Sequence, residues 1–197
     1  MYALGAGSVL VAMAPTDRAR IAAGIYAASL ALLFAISAVY HRFHWTPARR
    51  NWLRRADHAS IFLLIGGTYT PIAMLALDAE AGRSLLWAIW TGVALGVVVS
   101  MLWPGAPKFV SAAIALAVGW TIVPYLGDIR RALDTTEIGL IVAGGIAYTA
   151  GALVYAAKRP DPWPRTYGYH EVFHALTLVG AGLHLAAVLS IVVDSGP

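Results

Sequence analysis

The chain has 197 residues, 59% of them hydrophobic and only 12% charged, with a mean hydropathy of +0.70. Soluble domains carry roughly 25% charged residues, so half of the usual solvating surface is missing and a water-soluble fold is excluded. The absence of cysteine excludes disulfides and thiolate metal ligands, leaving His, Asp, Glu and water, which suit zinc or a harder divalent ion.

A membrane-spanning helix needs about 20 mostly apolar residues. Seven apolar segments are predicted, at 1–14, 18–40, 57–77, 83–103, 108–127, 136–157 and 169–193. The first is short and Met1 lies inside its apolar run, so it reads as a truncated span or one whose start is misplaced. No basic stretch precedes it, as a cleavable signal peptide would require. The connections are short and carry breakers: Pro47, Pro104-Gly105-Ala106-Pro107 and Pro160-Asp161-Pro162-Trp163-Pro164. The prediction is an all-α integral membrane protein, one seven-helix bundle forming a single domain over residues 1–197. In the third span Gly66-Gly67 permits close helix approach and Pro71 predicts a kink or an end. Gly92, Gly96 and Gly144-Gly145 suit helix packing within or between chains.

Charge sets the predicted orientation. The even-numbered loops hold Arg42, Arg49, Arg50, Arg54, Arg55, Lys108, Lys158, Arg159 and Arg165, nine of the 14 basic residues. The odd loops hold five and most of the acids. The positive-inside rule places the even loops and the N-terminus in the cytoplasm and the C-terminus outside. Because the basic residues sit in short loops, the isoelectric point near 9.6 reflects topology. No folded basic surface for nucleic acid is present.

The sparse ionisable groups then gather at one membrane face. His41 closes the second span, Asp57 opens the third, and His170 and His174 open the seventh. Residues four apart share a helical face, so His170 and His174 form a ligand pair and Ser37 lies one turn deeper than His41. Taken singly, His41 reads as an interfacial residue, Asp57 as a helix N-cap and Ser37 as a packing hydroxyl. Together, three histidines with one open position form the pattern of a catalytic zinc site. Asp57 is placed to hold and deprotonate a water or to orient a ligand imidazole. His184, about 15 Å deeper at the helical rise, reads as a mid-membrane hydrogen-bonding or second-site residue, and His44 and His58 as solvated.

The stretches Ser37-Ala-Val-Tyr-His41, Asp57-His58-Ala-Ser60 running to Gly67-Thr68-Tyr69-Thr70-Pro71, and His170-Glu-Val-Phe-His174 resemble the hemolysin III family. That family is the bacterial branch of the progestin and adipoQ receptor superfamily, and the match covers nearly the whole chain. The resemblance implies a seven-helix bundle in a bacterial plasma membrane, with zinc bound by His41, His170 and His174. It also implies a water between the metal and Asp57, with Ser37 nearby. Through the adiponectin receptors and alkaline ceramidases it implies hydrolysis of a lipid amide, with a membrane lipid as partner. Members have a fuller first span than this chain.

Three functions follow as expectations: a zinc-dependent hydrolase of ceramide-like lipid amides; a membrane-stress or lipid sensor, or a cytolysin, with structural zinc; and an intramembrane metalloprotease of H-E-x-x-H type, with Glu171 as general base. A retinal protein is set aside, because its Schiff base needs a lysine inside the bundle.

Overall fold

The computed structural model describes residues 2–196, leaving aside the side chains of residues 2–4; Met1, on which the reading of a misplaced start falls, lies outside the described residues. Among the described residues the regular elements are all helices, without β-strands. α1 (Tyr2–Met13) has 12 residues and is about 18 Å long, short of the roughly 30 Å hydrocarbon core. Six further segments are long and apolar enough to cross a membrane. They are α2 (Asp17–Arg42), α3 (Pro47–Pro71) with a π-helical turn at Ile72–Ala76, α4 (Ala79–Leu102), α5 (Lys108–Gly119) continued through a 3-10 turn into α6 (Leu126–Ala132), α7 (Thr135–Ala157) and α8 (Tyr169–Val193).

Local chemistry explains most of these starts. Thr16 caps α2 by accepting the Ala19 amide at 3.1 Å. Asp78 caps α4 by accepting the amides of Glu80 and Ala81 at 2.9 Å. Asp134 and Glu137 form a reciprocal capping box at the start of α7, satisfying two otherwise orphaned amides.

Two boundaries depart from the sequence expectation. The third span, expected from residue 57, begins at Pro47, because proline at the first helical position is pre-set for the helix and loses no needed donor. Asp57 is therefore not an N-cap; it sits about three turns inside α3. The fifth span, expected unbroken over 108–127, breaks after Gly119, and a 3-10 turn at Val123–Tyr125 precedes α6. Pro124 supplies no amide to a continuing helix. The Tyr69 hydroxyl donates to the Gly119 carbonyl at the break.

α3 is the central element, packing against α2, α4, α5 and α8, while α7 lies along α8. One apolar core joins α3 to α4 and the α5–α6 segment through Phe62, Ile72, Leu85, Ile89 and Ile129. A second joins α1, α2 and α8 through Leu10, Tyr26, Leu30, Val188 and Val192. The glycines serve packing inside this one chain. A Cβ on Gly96 would meet the Phe62 ring at 2.2 Å, and one on Gly144 would meet His184 at 2.2 Å.

The α2–α3 crossing is the tightest. A Cβ on Gly67 would lie 2.0 Å from Ser29 Oγ and 2.7 Å from Ser29 Cβ. Gly67→Ala is expected to destabilise the fold by about 1–3 kcal/mol, the usual cost of overpacking, read as a lower apparent melting temperature in detergent. Adding Ser29→Gly should recover most of the loss; no recovery would show that the crossing is not the cause.

Candidate metal centre and cavity

The last turn of α2 carries His41 and the first two turns of α8 carry His170 and His174. α8 meets the α2–α3 pair, which brings the three rings together. Ring centroids lie 5.1 Å apart for His41–His170 and His41–His174, and 4.6 Å apart for His170–His174. One ring nitrogen from each lies within 4.8 Å of the others. The Nε2 atoms of His170 and His174 are 3.2 Å apart. Two imidazoles on a tetrahedral zinc with bonds of 2.0–2.1 Å have nitrogens about 3.3 Å apart. The three nitrogen donors and their spacing fit a site for a histidine-ligated divalent ion such as zinc.

Asp57 stands one step outside the cluster. Its half-buried carboxylate faces the Ser37 hydroxyl of α2 and the His41 side chain. Its backbone carbonyl accepts the Ser60 hydroxyl at 2.6 Å, which steadies that turn of α3. The five candidate residues thus share one end of the bundle.

Glu171 is engaged elsewhere. Its Oε2 accepts the Gly168 amide at 2.9 Å, completing the first turn of α8, and the residue is exposed. Glu171→Gln is expected to cost about 0.5–1 kcal/mol of stability through the weakened cap. It should leave metal content and activity unchanged in metal analysis and lipid assays. A large loss of activity would restore the protease reading.

Beside the cluster opens a cavity of about 1130 Å³, above the 300–1,000 Å³ of ordinary small-molecule pockets. It extends along the α5–α6 segment from Lys108 to Arg130, and its wall includes His41, Asp57 and His170. His184 lines it deeper, where Nε2–H donates to the Ile141 carbonyl at 3.1 Å; a carbonyl only accepts, so Nε2 carries the proton. His58, expected to be solvated, is half-buried in the cavity wall. Lys108, read from the sequence as interfacial, turns inward. Its ammonium donates to the Tyr169 hydroxyl at 2.6 Å and lies 4.4 and 4.5 Å from the ring centroids of Tyr155 and Tyr169. The one sequence signal for this inward turn was the basic residue at the first position of a helix, where it opposes the dipole.

An all-helical membrane bundle with an internal cavity and a three-histidine cluster at one end defines the class: a multi-pass membrane protein with a candidate metal site. A family model described as "Haemolysin-III related" matches residues 1–185. The chain is 29% identical over 176 residues to Hemolysin-3 of Bacillus cereus, covering 88% of this chain and 76% of that protein. It is 31% identical over 172 residues to the heptahelical transmembrane protein ADIPOR2 of Oryza sativa subsp. japonica, covering 78% and 74%. It is also similar to the human monocyte to macrophage differentiation factor, at 23% over 176 residues. The chain belongs to the hemolysin III family, within the progestin and adipoQ receptor superfamily.

Proposed function

We propose that this protein is a zinc-dependent hydrolase of a membrane lipid amide of ceramide type. The observation that carries the reading is the cluster of His41, His170 and His174, with ligand atoms within 4.8 Å, opening onto a cavity large enough for a lipid. In this reading the three histidines hold zinc. Zinc bound there supplies Lewis acidity toward a carbonyl and lowers the pKa of water to about 7. Asp57 positions the attacking water and takes its proton as general base. Ser37, facing the same carboxylate, orients it by hydrogen bonding. The apolar cavity wall holds the acyl chain and excludes bulk water from the reacting amide.

The same reading sets the protein in the plasma membrane of a bacterium as one seven-helix domain, with α1 as a shortened first span. The N-terminus and the site lie on the cytoplasmic side and the C-terminus outside. Nine of the 14 basic residues, in the even loops and the helix ends that flank them, support this orientation, and the name of the rice relative, heptahelical, supports the span count.

Purified, zinc-loaded protein is expected to release fatty acid from ceramide-like lipids. Absence of turnover across a broad panel of lipid amides, with the metal fully loaded, would sink the hydrolase. A second reading is a lipid sensor or cytolysin in which zinc only clamps α2 to α8. It draws support from the name of the Bacillus cereus relative, and leakage of liposomes without lipid cleavage would favour it.

A further inference from the structure

The cavity wall carries one carboxylate, Asp57, against several cations: Arg42, Arg50, Arg54 and Lys108 at the histidine end and Arg130 at the other. Among the described residues the ion pairs are Arg20–Asp17 and Arg131–Asp128. None of the cations at the histidine end therefore has a carboxylate partner. Arg54 is half-buried; its Nε has no hydrogen-bond partner, and one terminal nitrogen reaches Asn51 only at 3.4 Å. Lys108 spends one donor on the Tyr169 hydroxyl and retains two. Arg54 and His58 lie one turn apart on α3, and both line the same cavity as Lys108. The Tyr155 and Tyr169 rings that hold Lys108 also flank His170, each with its centroid 6.3 Å from that ring.

A topological bias toward basic loops explains why arginines cluster at this end. It does not explain Arg54 and Lys108, half-buried in the cavity wall without counter-charges, which costs desolvation. Nor does it explain a lysine placed against the dipole at the first position of α5. Local rules broken together at one place mark a ligand site.

We propose that this end of the cavity selects lipids bearing an anionic phosphate headgroup, held between Lys108 and Arg54. The guanidinium grips phosphate oxygens as a fork and the caged ammonium supplies a point charge. If the hydrolase reading holds, the favoured substrate is a ceramide-type amide that also carries a phosphate, and the headgroup contact places its amide beside the histidine cluster.

The test is lipid binding to the full chain in detergent micelles, by native mass spectrometry and thermal shift. The probes are phosphatidylglycerol, phosphatidylcholine, ceramide and inorganic phosphate. Phosphatidylglycerol is expected to bind about tenfold more tightly than phosphatidylcholine or ceramide, the factor one charge-assisted hydrogen bond is worth. Lys108→Gln and Arg54→Gln should each abolish that preference, and Lys108→Arg should retain it. Arg165→Gln removes an exposed charge from the α7–α8 connection, outside the cavity wall, and should leave the preference intact. If Lys108→Gln does not fold, Arg54→Gln and Lys108→Arg decide the matter.

Equal binding of the lipids would overturn the proposal. So would an equal loss in Arg165→Gln, which means general surface attraction, or inorganic phosphate binding as tightly as the lipid, which means a soluble anion. Binding is also measured on Asp57→Ala protein, so the two readings fail separately. A preference for phosphatidylglycerol without turnover on any lipid sinks the hydrolase alone. Turnover of neutral ceramide without the preference sinks the headgroup site alone.

Discussion

His41→Ala is expected to strip the protein of its metal. Wild-type protein should retain about one zinc per chain after dialysis against a weak chelator, and the variant should retain almost none. His41 sits at the end of α2 and the other two ligands sit on α8, so the loss can only come from a shared ion. Structural zinc sites have apparent binding free energies of about 10–16 kcal/mol. Losing one of three protein ligands should remove about a third of that, a fall in affinity of roughly 10²–10⁴-fold. Competition titration against a chromogenic chelator reads it directly. His41 also joins α2 to α8, so zinc removal by a strong chelator should lower the melting temperature of the wild type and barely change that of the variant. A variant that keeps stoichiometric zinc would dissolve the three-histidine site.

Asp57→Ala is expected to behave in the opposite way, keeping the metal and losing the reaction. The carboxylate lies outside the three-nitrogen cluster, so its removal should lower zinc affinity by at most about 10–100-fold, the cost of losing a supporting partner. As general base it is worth about 10²–10⁴ in rate, seen as a fall in kcat for fatty acid release with KM little changed. Asp57→Asn tests the same point with volume conserved and should fall as far, because an amide cannot take the proton. Ser37→Ala, which removes only the partner of the carboxylate, should cost less than either. If Asp57→Ala kept full turnover, the protein would be using another base. If wild type and Asp57→Ala were equally active in a leakage assay and neither cleaved lipid, structural zinc would be the better account.

Much of this was readable before any coordinates. Membrane insertion follows from composition alone, since 12% charged residues cannot solvate a soluble surface of this size. The last two spans were placed to within a residue, 136–157 against Thr135–Ala157 and 169–193 against Tyr169–Val193. Their apolar runs end at caps and prolines that act over only a few positions. The pairing of His170 with His174 is likewise local, since a helix puts residues four apart on one face. Loop counting also anticipated that His41 and Asp57 share the end of the bundle with that pair, because alternate loops of a bundle return to the same end.

What composition and spacing could not supply depends on how distant elements pack. Hydropathy hid the early start of α3, because the polar turns from Arg49 to Arg55 are helical without being apolar. The break at Gly119 lay inside an apolar run, and only its packing, with Tyr69 bonded to the Gly119 carbonyl, distinguishes it from a continuous span. Glu171 looked like a catalytic base in the five-residue pattern, yet in three dimensions its carboxylate closes its own helix start. Lys108 read as interfacial and His58 as solvated because a hydropathy profile cannot tell a water-filled interface from the wall of an internal cavity. Side-chain periods and caps are properties of a few consecutive residues, so the linear chain carries them. The cavity, and the cations left without partners inside it, are properties of the space between helices, and that space exists only once α3, α5, α7 and α8 have packed.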